Sequence, residues 1–225
     1  MIAVLFDIDG TILHSNAVGA GAFYEALETV WPEYAPIPRT LSFAGATDLG
    51  LLQTLHAEWG AAWDAQRVAV FFEEMAGQMQ RRLNPDEMAL LPGARELIEA
   101  LHQRDDVSLG LLTGNTRAGA YIKLSAFELG GYFSWGGFGD EHPDRREMAK
   151  LAIARLGDQL GDAGIRHAVV IGDTPSDIAG ARAVGARAVC VSTGNYDDAA
   201  LRAAGADAVF MSLADPAIPG ALGLV

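Results

Sequence analysis

The chain has 225 residues, half of them hydrophobic and a fifth charged, enough to bury a sizeable core as one domain or one domain carrying an insertion. No window approaches the roughly 20 apolar residues of a spanning helix, so neither a membrane protein nor a disordered chain is expected. Sixteen Lys and Arg stand against 29 Asp and Glu, a formal net charge of -13, which is the wrong sign for a nucleic-acid partner. Cys190 is the only cysteine, and Met1 runs straight into a strand-like segment without a basic leader or cleavage site, so a reducing, cytoplasmic setting is expected.

From the N-terminus, residues 2–6 (IAVLF) predict a buried strand. Residues 15–88 then hold no convincing strand and three amphipathic helical patterns, the first between Asn16 and Trp31. Prolines 32, 36 and 38 mark a loop. Leu52, Leu55 and Trp59 mark a second helix, and Val68, Phe71, Phe72, Met75, Met79 and Leu83 a third, whose aromatic and Met stripe reads as core. Asn84-Pro85 and Leu91-Pro92-Gly93 mark the return to an alternating pattern. Helices are predicted over 93–104, 116–129, 146–156 and 176–184, and strands over 107–112, 168–171, 187–191 and 208–211, with a weaker strand near Tyr132 to Trp135. The alternation predicts an α/β fold, a mostly parallel sheet with helices on both faces. It divides the chain into a core of residues 1–14 and 89–225 and an inserted helical unit of residues 15–88.

Three predicted strands end in polar turns. The first runs into Asp7-Ile8-Asp9-Gly10-Thr11, the second into Thr113-Gly114-Asn115, and the third into Gly172-Asp173-Thr174-Pro175-Ser176-Asp177. Each alone is ordinary: Asp and Gly stop strands, and Ser176 with Asp177 would suit a helix N-terminus. Asp173, ahead of that cap, is not explained this way. Together they bring Asp7, Asp9, Asp173 and Asp177 to the carboxyl edge of one sheet, where open parallel sheets bind ligands. Four carboxylates in one crevice repel one another, and a hard cation relieves the conflict; Mg²⁺ suits it. A hydroxyl at Thr113 and helix-start amides beside a metal are anion ligands, which implies a phosphoryl-bearing substrate.

These segments, DIDGT at 7–11, LLPGARELIEAL at 90–101, LLTGN at 111–115 and GDTPSDIAGARAVGA at 172–186, span most of the chain and resemble the haloacid dehalogenase superfamily, with a helical cap inserted after the first motif. Phosphoglycolate phosphatases within it look similar. The resemblance implies a Rossmann-like doubly wound core and phosphoryl transfer through an aspartyl-phosphate. It implies Asp7 as nucleophile and Asp9 as general acid and then base. Asp7, Asp9 through its backbone carbonyl, and Asp173 would ligate Mg²⁺, with Asp177 behind them or pairing a cation. Thr113, Gly114 and Asn115 would hold phosphoryl oxygens.

The family also uses a cation before its last motif, commonly a Lys-Pro pair, and this chain has no such pair. The candidates are Arg145, Arg146 and Lys150; Arg145, near the start of the helix that Pro143 introduces, is favoured, since its forked donors suit a bridge from Asp7 to a phosphoryl group. His14 faces either the substrate or solvent at a hinge. Thr47 and Asp48 either reach the site or simply cap a helix. Lys123 is read as solvated, and Cys190 as a small core residue.

Residues 15–88 contain no lysine, which excludes a Schiff-base mechanism from the cap. Asp9 and Asp173 argue against carbon-halogen dehalogenation. The expected activity is Mg²⁺-dependent hydrolysis of a small phosphorylated metabolite by a monomer or homodimer. The alternatives are a sugar phosphomutase on the same core, disfavoured by a cap with four arginines against ten acids, and a phospho-acceptor or binding module without turnover.

Overall fold

A computed structural model describes residues 1–161 and 164–224. In chain order the elements are β1 (Ile2–Phe6), β2 (Leu13–His14), α1 (Val18–Val30), α2 (Asp48–Trp59), α3 (Ala65–Arg82), β3 (Ala89–Leu90), α4 (Ala94–His102), β4 (Val107–Leu112) and α5 (Arg117–Ser125). They continue with β5 (Trp135–Gly137), α6 (Arg145–Leu160), β6 (His167–Gly172), α7 (Pro175–Ala183), β7 (Arg187–Val191), α8 (Asp198–Ala203), β8 (Ala208–Phe210) and α9 (Ile218–Ala221).

Six strands form one parallel sheet in the order β5-β4-β1-β6-β7-β8, the Rossmann-like α/β arrangement expected. The uninterrupted apolar run of β1 follows from its central place. Ile2, Val4 and Phe6 enter one hydrophobic cluster, with α4 and α5 residues such as Ile98 and Leu124. Ala3 and Leu5 enter the opposite one, with Met148 of α6 and Ile178 of α7. A strand covered on both faces has no side left for polar residues. The order reverses at β1, where β4 lies on one side and β6 on the other, so a crevice opens above its carboxyl end.

The weaker strand expected near Tyr132 to Trp135 lies further on. Gly130–Tyr132 form a 3₁₀ turn, and β5 takes Trp135–Gly137 opposite Gly110 to Leu112 of β4. Pairing with a distant strand decides such a short edge element.

The helices α1, α2 and α3 gather a separate cluster in which Phe23, Leu52, Phe71 and Met79 are fully buried. On α3, Val68, Phe71, Met75 and Met79 recur every three or four residues and form one apolar stripe. Asp64 starts that helix by accepting from the amides of Gln66 and Arg67. The chain enters and leaves this helical unit through one antiparallel pair, Leu13 opposite Leu90 and His14 opposite Ala89. Phe71 meets Phe23 edge-on at 5.1 Å and Trp31 at 5.6 Å. Phe71→Ala is expected to destabilise the protein by about 3–5 kcal/mol in chemical denaturation.

Candidate active site

The site grows from the end of β1. Asp7 continues the sheet ladder, donating its amide to Ile171 of β6 at 2.9 Å, so its buried carboxylate faces the crevice. Three residues on, the backbone turns at Gly10, where φ is +83° and a Cβ would come within 2.5 Å of the Asp173 carboxylate. Both the left-handed conformation and the close approach require glycine. Asp173 follows β6 in the same way, accepting from Thr11 Oγ1 at 3.3 Å. Asp177 lies in the first turn of α7, where it forms a reciprocal capping box with Thr174. The helix-capping role expected for Ser176 belongs to Thr174.

Carboxylate oxygens of Asp7, Asp173 and Asp177 lie within 4.8 Å of one another. Of the three candidate cations, Arg145 joins them: Nη2 donates to Asp7 at 2.8 Å and Nη1 to Asp177 at 2.5 Å. Arg146 and Lys150 instead form exposed pairs with Asp144 and Glu147. One guanidinium does not neutralise three carboxylates. Burial, reinforced by the charges of Asp177 and Asp9 and resisted by Arg145, pushes Asp7 up to about 7. Burial and the charges of Asp7 and Asp177 push Asp173 up to about 8. A crowded set of hard oxygen donors with excess negative charge fits a divalent cation such as Mg²⁺.

Asp9 belongs to a different network. Burial would raise its pKa, but the Lys123 charge and hydrogen bonds from Lys123, Ser15 and Asn115 outweigh that and hold it low. Lys123 Nζ lies 2.6 Å from Asp9 Oδ2, and Ser15 donates to Oδ1 at 2.6 Å. The expectation of a solvated Lys123 is therefore wrong: its side chain is only 4% exposed. Sequence marks a lysine on a helix, while the packing of α5 against α3 decides that it points inward. The nearest external atom to a Cβ at Gly19 of α1 would be Lys123 Nζ, at 3.2 Å.

Thr113 is fully buried, and its hydroxyl accepts from the side-chain amide of Asn115 at 2.8 Å. The same amide donates to Asp9 at 2.8 Å, so the Asn115 side chain ties Thr113 to Asp9. Gly114 is covered by the helical unit: a Cβ there would run into the Ala46 carbonyl oxygen. Asp48 N donates to Gly114 O at 2.9 Å, and Leu49 N to Gly139 O at 2.8 Å. Thr47 and Asp48 do both things open to them, because Thr47 caps α2 while the Asp48 carboxylate accepts from Thr116 N at 2.8 Å. Burial, opposed by that hydrogen bond, pushes Asp48 up to about 7. Asp7, Asp9, Thr113, Arg145 and Asp173 line a cavity of about 920 Å³ whose other wall includes Ala17, Phe43, Asp48 and Leu51. His14 is exposed on its lining. Cys190 is buried in the sheet, and burial pushes its thiol up to about 12, as fits a core residue.

A parallel sheet with an acidic crevice at its carboxyl edge and a helical unit over it defines a recognised class. Residues 1–185 match the haloacid dehalogenase-like hydrolase family, and the chain belongs to it. It is 30% identical over 218 residues to a phosphoglycolate phosphatase of Caulobacter vibrioides, covering 94% of this chain and 87% of the relative. A phosphoglycolate phosphatase of Chromobacterium violaceum is 28% identical over 222 residues, covering 95% and 93%. A hydrolase from Pseudomonas syringae superposes with a TM-score of 0.66 at 24% identity, over the whole of both chains. A candidate β-phosphoglucomutase from Bacteroides vulgatus does so at 0.67 and 19%, over 99% and 89%. Among the described residues, no helix is long and apolar enough to cross a membrane.

The raised acids set a sign for metal-linked stability. Asp7 and Asp173 bind protons more tightly folded than unfolded, so stability of the metal-free protein falls as pH rises from about 4 to about 8. Mg²⁺ is expected to raise Tm little at about pH 5 and clearly at about pH 8. Asp173→Asn is expected to raise the metal-free Tm at about pH 8 and to abolish most of the Mg²⁺ increment in the same melts.

Proposed function

We propose that the chain is a Mg²⁺-dependent phosphomonoester hydrolase working through an aspartyl-phosphate on Asp7. The observation that carries this reading is the placement of Asp7: a buried carboxylate facing the cavity, oriented at 2.8 Å by Arg145, with Asp9 two residues on. Asp7, Asp173 and the Asp9 backbone carbonyl would hold the metal, which, when bound, screens the negative charge of nucleophile and phosphoryl group. An Asp7 oxygen attacks phosphorus, the bond from phosphorus to the leaving oxygen breaks, and Asp9 gives that oxygen a proton. Asp9 then takes a proton from water, whose oxygen attacks the phosphorus and releases phosphate and Asp7.

The Lys123 pair keeps Asp9 ionised before substrate arrives, the form the second step uses. The dianionic phosphoryl group beside it acts in the opposite direction and favours the acid form for the first step. Arg145 would bridge Asp7 to the phosphoryl group, and Thr113 with the amides of Gly114 and Asn115 would hold its other oxygens. Residues 15–88 serve as a cap in this reading. The contacts from Asp48 and Leu49 to the loops after β4 and β5 support closure over the reacting group, which excludes water until the intermediate forms.

Hydrolysis of p-nitrophenyl phosphate with and without Mg²⁺ tests the chemistry. Metal-dependent release is expected, with a drop in kcat of at least about a thousandfold in Asp7→Asn. A folded Asp7→Asn protein that keeps substantial turnover would refute the nucleophile. Arg145→Ala is expected to raise KM for the phosphate ester, whereas Arg146→Ala and Lys150→Ala, in exposed pairs, leave it unchanged. Removing the cation in Lys123→Met raises the proton affinity of Asp9, so the whole pH-rate profile is expected to move to higher pH, with Lys123→Arg moving it back.

A further inference from the structure

We propose that the leaving group this site accepts is an alcohol without an anionic substituent, neutral or amine-bearing, so that a carboxylate-bearing phosphomonoester such as 2-phosphoglycolate is a poor substrate. The inference rests on the phosphomonoester reading above and deepens it.

It follows from where the cations are. All 16 Lys and Arg lie within the described residues, and only Lys123 and Arg145 line the cavity. Both are committed: Arg145 to Asp7 and Asp177, Lys123 to Asp9 and the Asn115 side-chain Oδ1 at 2.7 Å. Their side chains are 5% and 4% exposed, at the floor of the site. The floor is where the phosphoryl group belongs.

The wall facing it comes from the helical unit. Ala20, Phe43, Ala44 and Leu51 give it apolar carbon, and Asn16, Ser42 and the Asp48 carboxylate interrupt that surface with two neutral polar groups and one acid. The four arginines of residues 15–88 are turned elsewhere. Arg67 donates to Val30 O and pairs with Glu33, Arg81 pairs with Glu74, Arg82 with Glu25, and Arg39 lies over the Tyr24 ring. The remaining basic group on the lining is His14, exposed on β2, and Glu87 lies on the same lining. A carboxylate or second phosphate on the leaving group would thus be desolvated against apolar carbon, neutral polar groups and an acid, with no Lys or Arg to receive it. A hydroxyl meets no such penalty, and an ammonium would face Asp48.

Three esters of nearly equal size separate the cases: 2-hydroxyethyl phosphate, 2-aminoethyl phosphate and 2-phosphoglycolate, assayed with Mg²⁺ at about pH 8. The hydroxyl and amine esters are expected to exceed 2-phosphoglycolate in kcat/KM by at least about tenfold. Equal values, or 2-phosphoglycolate as the best of the three, would overturn the proposal. Ala44→Arg, which adds a guanidinium at an exposed position on the wall, is expected to raise the 2-phosphoglycolate to hydroxyethyl ratio by about tenfold; an unchanged ratio would count against the proposed wall. If none of the three nor p-nitrophenyl phosphate is hydrolysed, the hydrolase reading falls. Calorimetric binding of the same esters to Asp7→Asn then decides the inference alone: weakest binding by 2-phosphoglycolate supports it, and any other order overturns it.

Discussion

Three carboxylates and one guanidinium at the end of a buried strand set the terms for the rest of the site. Asp7, Asp173 and Asp177 converge because the strand order reverses at β1, which brings the ends of β1 and β6 side by side. Arg145 at the start of α6 bridges two of the three and leaves an excess of negative charge. Such a cluster is unfavourable in an empty site and becomes favourable when a cation or a proton enters it. The crevice is therefore prepared for a positive ion before any substrate is considered.

A second electrostatic unit lies beside the first. Lys123, Asn115, Ser15 and Thr113 hold Asp9 apart from the triad and keep it ionised, although it is only two residues from Asp7 along the chain. Two neighbouring carboxylates thus have opposite tendencies, one pushed up by burial and like charges and the other held down by a paired lysine. Environments that drive two acids apart are what division between nucleophilic and proton-transfer roles requires. The helical unit completes the arrangement by laying the backbone of Ala46 to Leu49 on the loops after β4 and β5, against a Gly114 that has no room for a side chain.

Much of this is written locally in the chain. The apolar runs of β1, β4, β6 and β7, the three helical patterns of residues 15–88 and the acids at the strand ends are read from spacing, because each depends on neighbours a few residues away. The family resemblance of Asp7, Asp9 and Asp173 is equally visible, as motif and order are properties of sequence.

Long-range packing decided what spacing leaves open. Sequence favours Arg145 over Arg146 and Lys150 only by its place near a helix start; the packing of α6 against α7 buries the first and leaves the other two in exposed pairs. Lys123 looks like a surface lysine on a helix until α5 packs against α3 and turns it to Asp9, across 114 residues of chain. The charge of the cavity wall formed by residues 15–88 is likewise absent from any motif. It depends on which way four arginines of the helical unit turn, and that is set by partners such as Glu25, Glu33 and Glu74. Sequence determined the chemistry available at the strand ends, because those residues are adjacent in the chain. Tertiary structure decided which charges meet and which face the cavity, because those contacts join residues that only the fold brings together.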